Sequence, residues 1–192
     1  MTMDKNIADL VNKNLFVLIG QPLCSINRGG GSIFINFGKL IGKNSAYFTE
    51  DGKAAVRKTL AGRYALHIES SSRLICGDEI IFAKRDMFLP NSQIESQENF
   101  DWNTFEWDTK GCNLFDEKIK NLLEDKDSNF VVSKVRVNLF GDLKIHFENG
   151  FSLEVFNDIS GFEECWRFFE INSDIHFVVS SQGLEGADED LE

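Results

Sequence analysis

Trp107 stands between two carboxylates, Glu106 and Asp108, and Trp102 directly follows Asp101. Both pairs fall in residues 86–109, a stretch with six acidic residues, two tryptophans, three phenylalanines and no lysine or arginine. Aromatic faces attract cations, and carboxylates form charge-assisted hydrogen bonds with Arg and Lys. The chemistry this combination supports is recognition of a basic surface, with Glu98, Asp101, Trp102, Glu106, Trp107 and Asp108 as the contact residues. If the chain is extended here, Glu106 and Asp108 share a face and flank Trp107. The competing reading is that the aromatic rings fold back onto the core and only the acids stay wet.

This stretch also explains half of the charge. The chain carries 31 acidic and 20 basic residues, net −11. Residues 86–109 contribute −6 and residues 185–192 contribute −5, which leaves 20 acidic against 20 basic residues elsewhere. Phosphate binding needs clustered Lys and Arg. Along the sequence only isolated pairs appear, Arg57-Lys58 and Lys84-Arg85, so direct nucleic-acid binding is not expected.

Other residues that could do chemistry have simpler explanations. His67, His146 and His176 each sit in an expected strand, on the parity opposite its apolar residues, and are expected to face solvent. The alternative is a three-histidine metal site assembled across strands. The Gly29-Gly30-Gly31 run lacks the Lys-Ser/Thr of a P-loop and reads as a hairpin turn. There is no Gly-x-Ser-x-Gly elbow, and Ser70-Ser71-Ser72 reads as a turn. Asp78-Glu79 and Glu163-Glu164 read as solvated pairs. The rings of Trp166-Arg167-Phe168-Phe169 read as core, with Arg167 paired to a nearby acid. No catalytic residue, cofactor site or metal site is expected.

At 192 residues the chain is long enough for one well-buried domain. We expect it over 1–184, with two strand-rich lobes, 1–85 and 110–184, joined by 86–109, as a variant. Residues 185–192 read as a disordered acidic tail. Cys24, Cys76, Cys112 and Cys165 are widely spaced and read as reduced, mostly buried thiols. The first apolar run is interrupted by Asp4, Lys5, Asp9 and Lys13, unlike a signal peptide. The next, residues 15–19, is too short to span a bilayer. A cytoplasmic location without membrane association follows.

Met3, Ile7, Leu10 and Val11 recur at helical spacing. Asn113 reads as an N-cap, followed by the stripe Phe115, Ile119, Leu122 and Leu123. Residues 39–63 are polar and Gly-punctuated, with a possible short helix over 51–60. Ile33-Ile35-Phe37, Tyr64-Leu66-Ile68, Val135-Val137-Leu139, Leu143-Ile145-Phe147 and Phe151-Leu153-Val155 alternate as strands do. A three-residue loop, Glu148-Asn149-Gly150, pairs Ile145 with Leu153 and Leu143 with Val155 and keeps one face apolar. A two-residue turn would mismatch the faces. Strand groups with helices set before or between them indicate an α+β fold, mainly antiparallel β-sheet hairpins with an N-terminal and a central helix.

Several local patterns occur together: Gly20-Gln21-Pro22-Leu23, Tyr64-Ala65-Leu66-His67, Trp107-Asp108 with residues 113–117, the hairpin 143–156, Trp166-Arg167-Phe168, and His176-Phe177-Val178-Val179 with Gly183-Leu184-Glu185. The set resembles a group of small uncharacterised bacterial proteins and covers residues 18–185. Small acidic α+β proteins of this kind also resemble the immunity proteins of bacterial toxin systems. That resemblance implies a non-enzymatic protein that neutralises a basic toxin domain. The alternatives are a small-molecule-binding protein or enzyme with a pocket in the curved sheet, and an oligomeric structural subunit.

Overall fold

The alternating apolar positions must be buried on one side of each strand, and two sheets facing one another achieve this. The computed structural model describes residues 3–49, 51–124, 129–180 and 182–185, with Phe48 given by its backbone alone. The fold is α+β and mainly antiparallel. Its strands are β1 (Leu23–Gly29), β2 (Ser32–Phe48), β3 (Ala54–Ile68), β4 (Ser72–Cys76), β5 (Glu79–Ala83), β6 (Val132–Val137), β7 (Leu143–Phe147), β8 (Phe151–Val155), β9 (Glu164–Glu170), β10 (His176–Ser180) and β11 (Gly183–Leu184). The helices are α1 (Lys5–Leu15), α2 (Ser92–Glu95) and α3 (Leu114–Glu124).

One sheet runs β1-β2-β3-β9-β10-β11 and the other β5-β4-β8-β7-β6. Each takes strands from both 1–85 and 110–184, so residues 86–109 do not divide one sheet from the other. Ile33, Ile35, Phe37, Leu66, Ile68 and Trp166 of the first sheet share a single core with Leu74, Val135, Leu143, Ile145, Leu153 and Val155 of the second.

The chain changes sheets twice at one corner. Residues 69–71 lead from β3 to β4, and 156–163 lead from β8 to β9. Backbone N–H groups of Glu69 and Ser70 donate to the Cys165 carbonyl, and that of Phe156 donates to Ser71. Ser70 and Ser72 are buried at this corner, so the serine run is a crossover between sheets and not a simple hairpin turn.

The β7–β8 register is the one the apolar pattern demands. Leu143 lies opposite Val155 and Ile145 opposite Leu153, and Gly150 has φ 87°, a left-handed conformation suited to glycine. The glycine run closes β1 and β2 with Gly29 opposite Ser32. Asp4 caps α1 by accepting from the Asn6 N–H at 2.7 Å, and Ala8, Val11 and Leu15 are its buried face. Asn12 of α1 hydrogen-bonds both the N–H and C=O of Val137, satisfying edge groups of β6 that another chain could otherwise pair with. Phe115, Ile119 and Leu122 are the buried stripe of α3, whereas Leu123 is 43% exposed and lies outside it.

The helix expected over 51–60 does not form. Those residues belong to a two-stranded ribbon, with Lys43 opposite Thr59 and Phe48 opposite Ala54. Cross-strand pairing here overrides a weak helical pattern. No described residue of 43–59 is buried, so the ribbon adds little to the core. Replacing 44–58 by a short Asn-Gly turn is expected to leave cooperative unfolding intact and shift the Tm by less than about 4 °C, the equivalent of about 1 kcal/mol at this size. Thermal denaturation followed by circular dichroism checks this.

Candidate functional site

Residues 86–109 belong to a loop whose neck is closed. Pro90 forms a bridge with Asn113, the Asn91 N–H donates to the Cys112 carbonyl and the Leu114 N–H to the Leu89 carbonyl. The side chains at the neck reinforce it. Asn91 Oδ1 caps α2 through the Ile94 N–H, and its Nδ2 donates to the Gly111 carbonyl. Asn113 caps α3 as expected, accepting from the Asp116 N–H at 2.8 Å while donating to the Trp107 carbonyl. Glu117 reaches across from α3 to accept from the N–H and hydroxyl of Ser92.

Arg28, a residue that the sequence did not mark as functional, holds the far side of the loop. Its side chain is 6% exposed. It forks onto both Asp116 oxygens at 2.8 and 2.9 Å and reaches Asp108 Oδ1 at 3.0 Å. It also donates to the carbonyls of Trp107, Asp108 and Thr109. Burial would raise the Asp116 pKa, but hydrogen bonds from Arg28 and the Gly111 N–H outweigh it and hold the carboxyl below its usual value. A signal was present in the sequence: Arg28 shares strand parity with buried Ile26, and an inward arginine requires a partner.

The six expected contact residues therefore divide. Trp107 is half-buried, packs against the core and meets Phe88 with ring centroids 4.8 Å apart. Asp108 is exposed but paired with Arg28. The chain turns at Trp107 and Asp108, so Glu106 and Asp108 do not flank Trp107 as they would on a strand. Glu98, Asp101, Trp102 and Glu106 are all exposed, on the part of the loop beyond the neck.

There Phe100, Trp102 and Phe105 form a three-ring cluster, with centroid separations of 5.2, 6.0 and 6.1 Å, and Trp102 is 57% exposed. A groove of about 250 Å³ runs beside the rings, lined in part by Phe100, Asp101, Phe105, Glu106 and Cys112. Asp101 accepts from the Asn103 N–H and amide, and Thr109 donates to Glu106. Among the described residues no Lys or Arg pairs with Glu95, Glu98, Asp101 or Glu106. Asp86 is different: it lies at the neck and pairs with Lys118 at 3.1 Å.

The histidines do not converge. His146 is on the five-stranded sheet, bonded to Ser152 at 2.9 Å, while His67 and His176 lie on the other sheet. His67 does not face solvent freely. It packs edge-on between Phe34 and Phe169, and burial, reinforced by Arg167 and Lys43, lowers its pKa to about 4. His176 is exposed and stacks on Phe169 at 4.1 Å. Arg167 pairs with Glu164, as expected.

Of the cysteines only Cys165 is buried, the other three being half-buried, and all four are free thiols. Burial, with Asp158 and Glu164 nearby, raises the Cys165 pKa to about 11. Among the described residues no helix is long and apolar enough to cross a membrane. Residues 186–192, most of the expected tail, lie outside the described residues.

No family model, curated protein or solved structure matches the chain.

Proposed function

We propose that this protein is a non-enzymatic binding module for a basic protein partner, of the kind an immunity protein forms with a cationic toxin domain. The observation that carries the reading is the exposed Phe100-Trp102-Phe105 cluster, bordered by carboxylates that no described basic residue neutralises. A soluble fold has no internal need for an exposed tryptophan packed on two phenylalanines, whereas interface anchors are enriched in Trp. The groove between the rings and Asp101 and Glu106 fits an Arg or Lys side chain: its stem lies on the aromatic faces and its charge meets the carboxylates. The surrounding acids would speed encounter with a basic surface. Trp107 and Asp108 serve this site by supporting the loop from behind.

The test compares two immobilised baits, the wild-type chain and a Trp102→Ala/Glu98→Lys/Glu106→Lys variant, in lysate of the source cell. A basic protein held by the wild type is then purified and titrated against both. Trp102→Ala alone is expected to weaken that complex about 30-fold or more, as an anchoring tryptophan does, and the charge reversals to abolish it. Equal affinity of wild type and triple variant, with matching circular dichroism spectra, would overturn the reading.

A further inference from the structure

Basic residues that are scattered in the sequence come together on the outer face of the five-stranded sheet. Cross-strand register sets Arg136 of β6 opposite Lys144 of β7, Lys144 opposite Glu154 of β8, and Glu154 opposite Arg73 of β4. The adjacent row sets Lys134 opposite His146 and His146 opposite Ser152. Within these rows four cations and one carboxylate sum to +3, and Asp142 and Glu148 at the margin bring the face to +1, in a chain of net −11.

The one carboxylate is already shared. Glu154 bonds Arg73 at 2.7 Å and Lys144 at 2.8 Å. Among the described residues neither Lys134 nor Arg136 has an acidic partner. Like charges directly opposite one another destabilise a sheet. Here Arg136 faces Lys144, whose charge Glu154 meets from the other side, and Lys134 faces the half-buried His146. A groove of about 350 Å³ lies over these residues, at the small end of ligand sites. Asp142 also borders it, with its carboxylate held by the Asn157 N–H and the Asn138 amide; Glu148, exposed, follows β7.

We propose that this face binds a small phosphorylated molecule, with Lys134, Arg136 and Lys144 on the phosphate oxygens and His146 at the edge of the site. Arg136 supplies a planar fork matched to phosphate geometry, and the lysines supply charge. The patch spans four strands, roughly 14 Å. That is just under two screening lengths in physiological salt, about 8 Å each, and beyond it the net negative molecule repels an extended polyanion. The field therefore favours a compact, multiply charged group over a nucleic-acid strand. Burial, together with Lys144 and Lys134, holds the His146 pKa below its usual value, and an anion seated between them would raise it.

Inorganic pyrophosphate serves as the probe, titrated into the full chain while the His146 ring signals are followed by NMR. A saturable shift, a rise in the His146 pKa, and a loss of about tenfold or more in affinity for Arg136→Ser and Lys144→Ser are expected, the order for losing a charge-assisted contact. Lys43→Ser/Arg57→Ser on the ribbon should bind like the wild type. No saturable shift at His146, or undiminished binding by both sheet variants, would overturn the site. Tighter binding of a single-stranded DNA oligonucleotide through the same residues would overturn the assignment to a small ligand.

Discussion

Arg28→Ala is expected to destabilise the fold by about 3–5 kcal/mol, the cost of leaving one partner of a buried ion pair uncompensated. At this chain length that lowers the Tm by roughly 6–20 °C. Asp116, with a side chain only 16% exposed, would lose both bonds from the guanidinium, and the carbonyls of Trp107, Asp108 and Thr109 would lose a donor. Adding Asp116→Ala should recover part of the loss, because it removes the stranded charge; urea denaturation of the single and double variants measures this.

The pH dependence gives a second readout. The Asp116 pKa is held below its unfolded value, so the ion pair's contribution is fully present above about pH 4 and is lost as pH falls through the folded pKa. In Arg28→Ala the main opposition to burial is gone, with only the Gly111 N–H and Lys110 left, and Asp116 takes up its proton at higher pH. The stability gap between wild type and variant should therefore narrow on acidification. A gap that stays constant from pH 7 to the acid limit of folding would count against the pairing. Because Arg28 also ties down residues 107–109, the variant should loosen the loop that carries the aromatic cluster and weaken any partner held there.

Trp166→Ala is expected to cost about 3–5 kcal/mol through the cavity it leaves. Trp166 is fully buried, lies opposite Ile68 on one side and Val179 on the other, and donates through Nε1 to the Gly141 carbonyl at 2.8 Å. Trp166→Phe keeps most of the volume but orphans that carbonyl, and should cost about 1–3 kcal/mol. The difference between the two separates packing from hydrogen bonding. Midpoints of urea unfolding report both, and a Trp166→Phe variant as stable as the wild type would mean that the Gly141 bond contributes nothing.

Much of the framework was legible before the structure. The alternation of Leu143-Ile145-Phe147 against Phe151-Leu153-Val155 determined both the hairpin and its register, because a slip of one residue would turn every apolar side chain outward. Asn113 as the α3 cap, the turn at the glycine run and the α1 stripe were legible for the same reason: each is a local pattern with a local physical cause. The ribbon over 43–59 was not, since the pairing of Ala54, Val56 and Lys58 with Phe48, Ala46 and Asn44, six, ten and fourteen positions earlier, is invisible to a helical or strand period read along one segment.

The candidate sites divide along the same line. Composition alone established that residues 86–109 are acidic and aromatic and that the rest of the chain, apart from its last eight residues, is neutral. Tertiary structure decided which of those charges face outward. Arg28 lies 80 residues from Asp108 in sequence and 88 from Asp116, yet it binds both, so Asp108 is paired with a cation within the fold while among the described residues no Lys or Arg pairs with Glu98, Asp101 or Glu106. Tertiary structure likewise gathered Arg73, Lys134, Arg136 and Lys144 on one sheet face, where the sequence shows only single basic residues. The physical reason is that secondary structure follows from near-neighbour sterics and burial, which the order of residues encodes directly, whereas Coulomb interactions depend on distances in space, and those are set only when strands far apart in the chain pair.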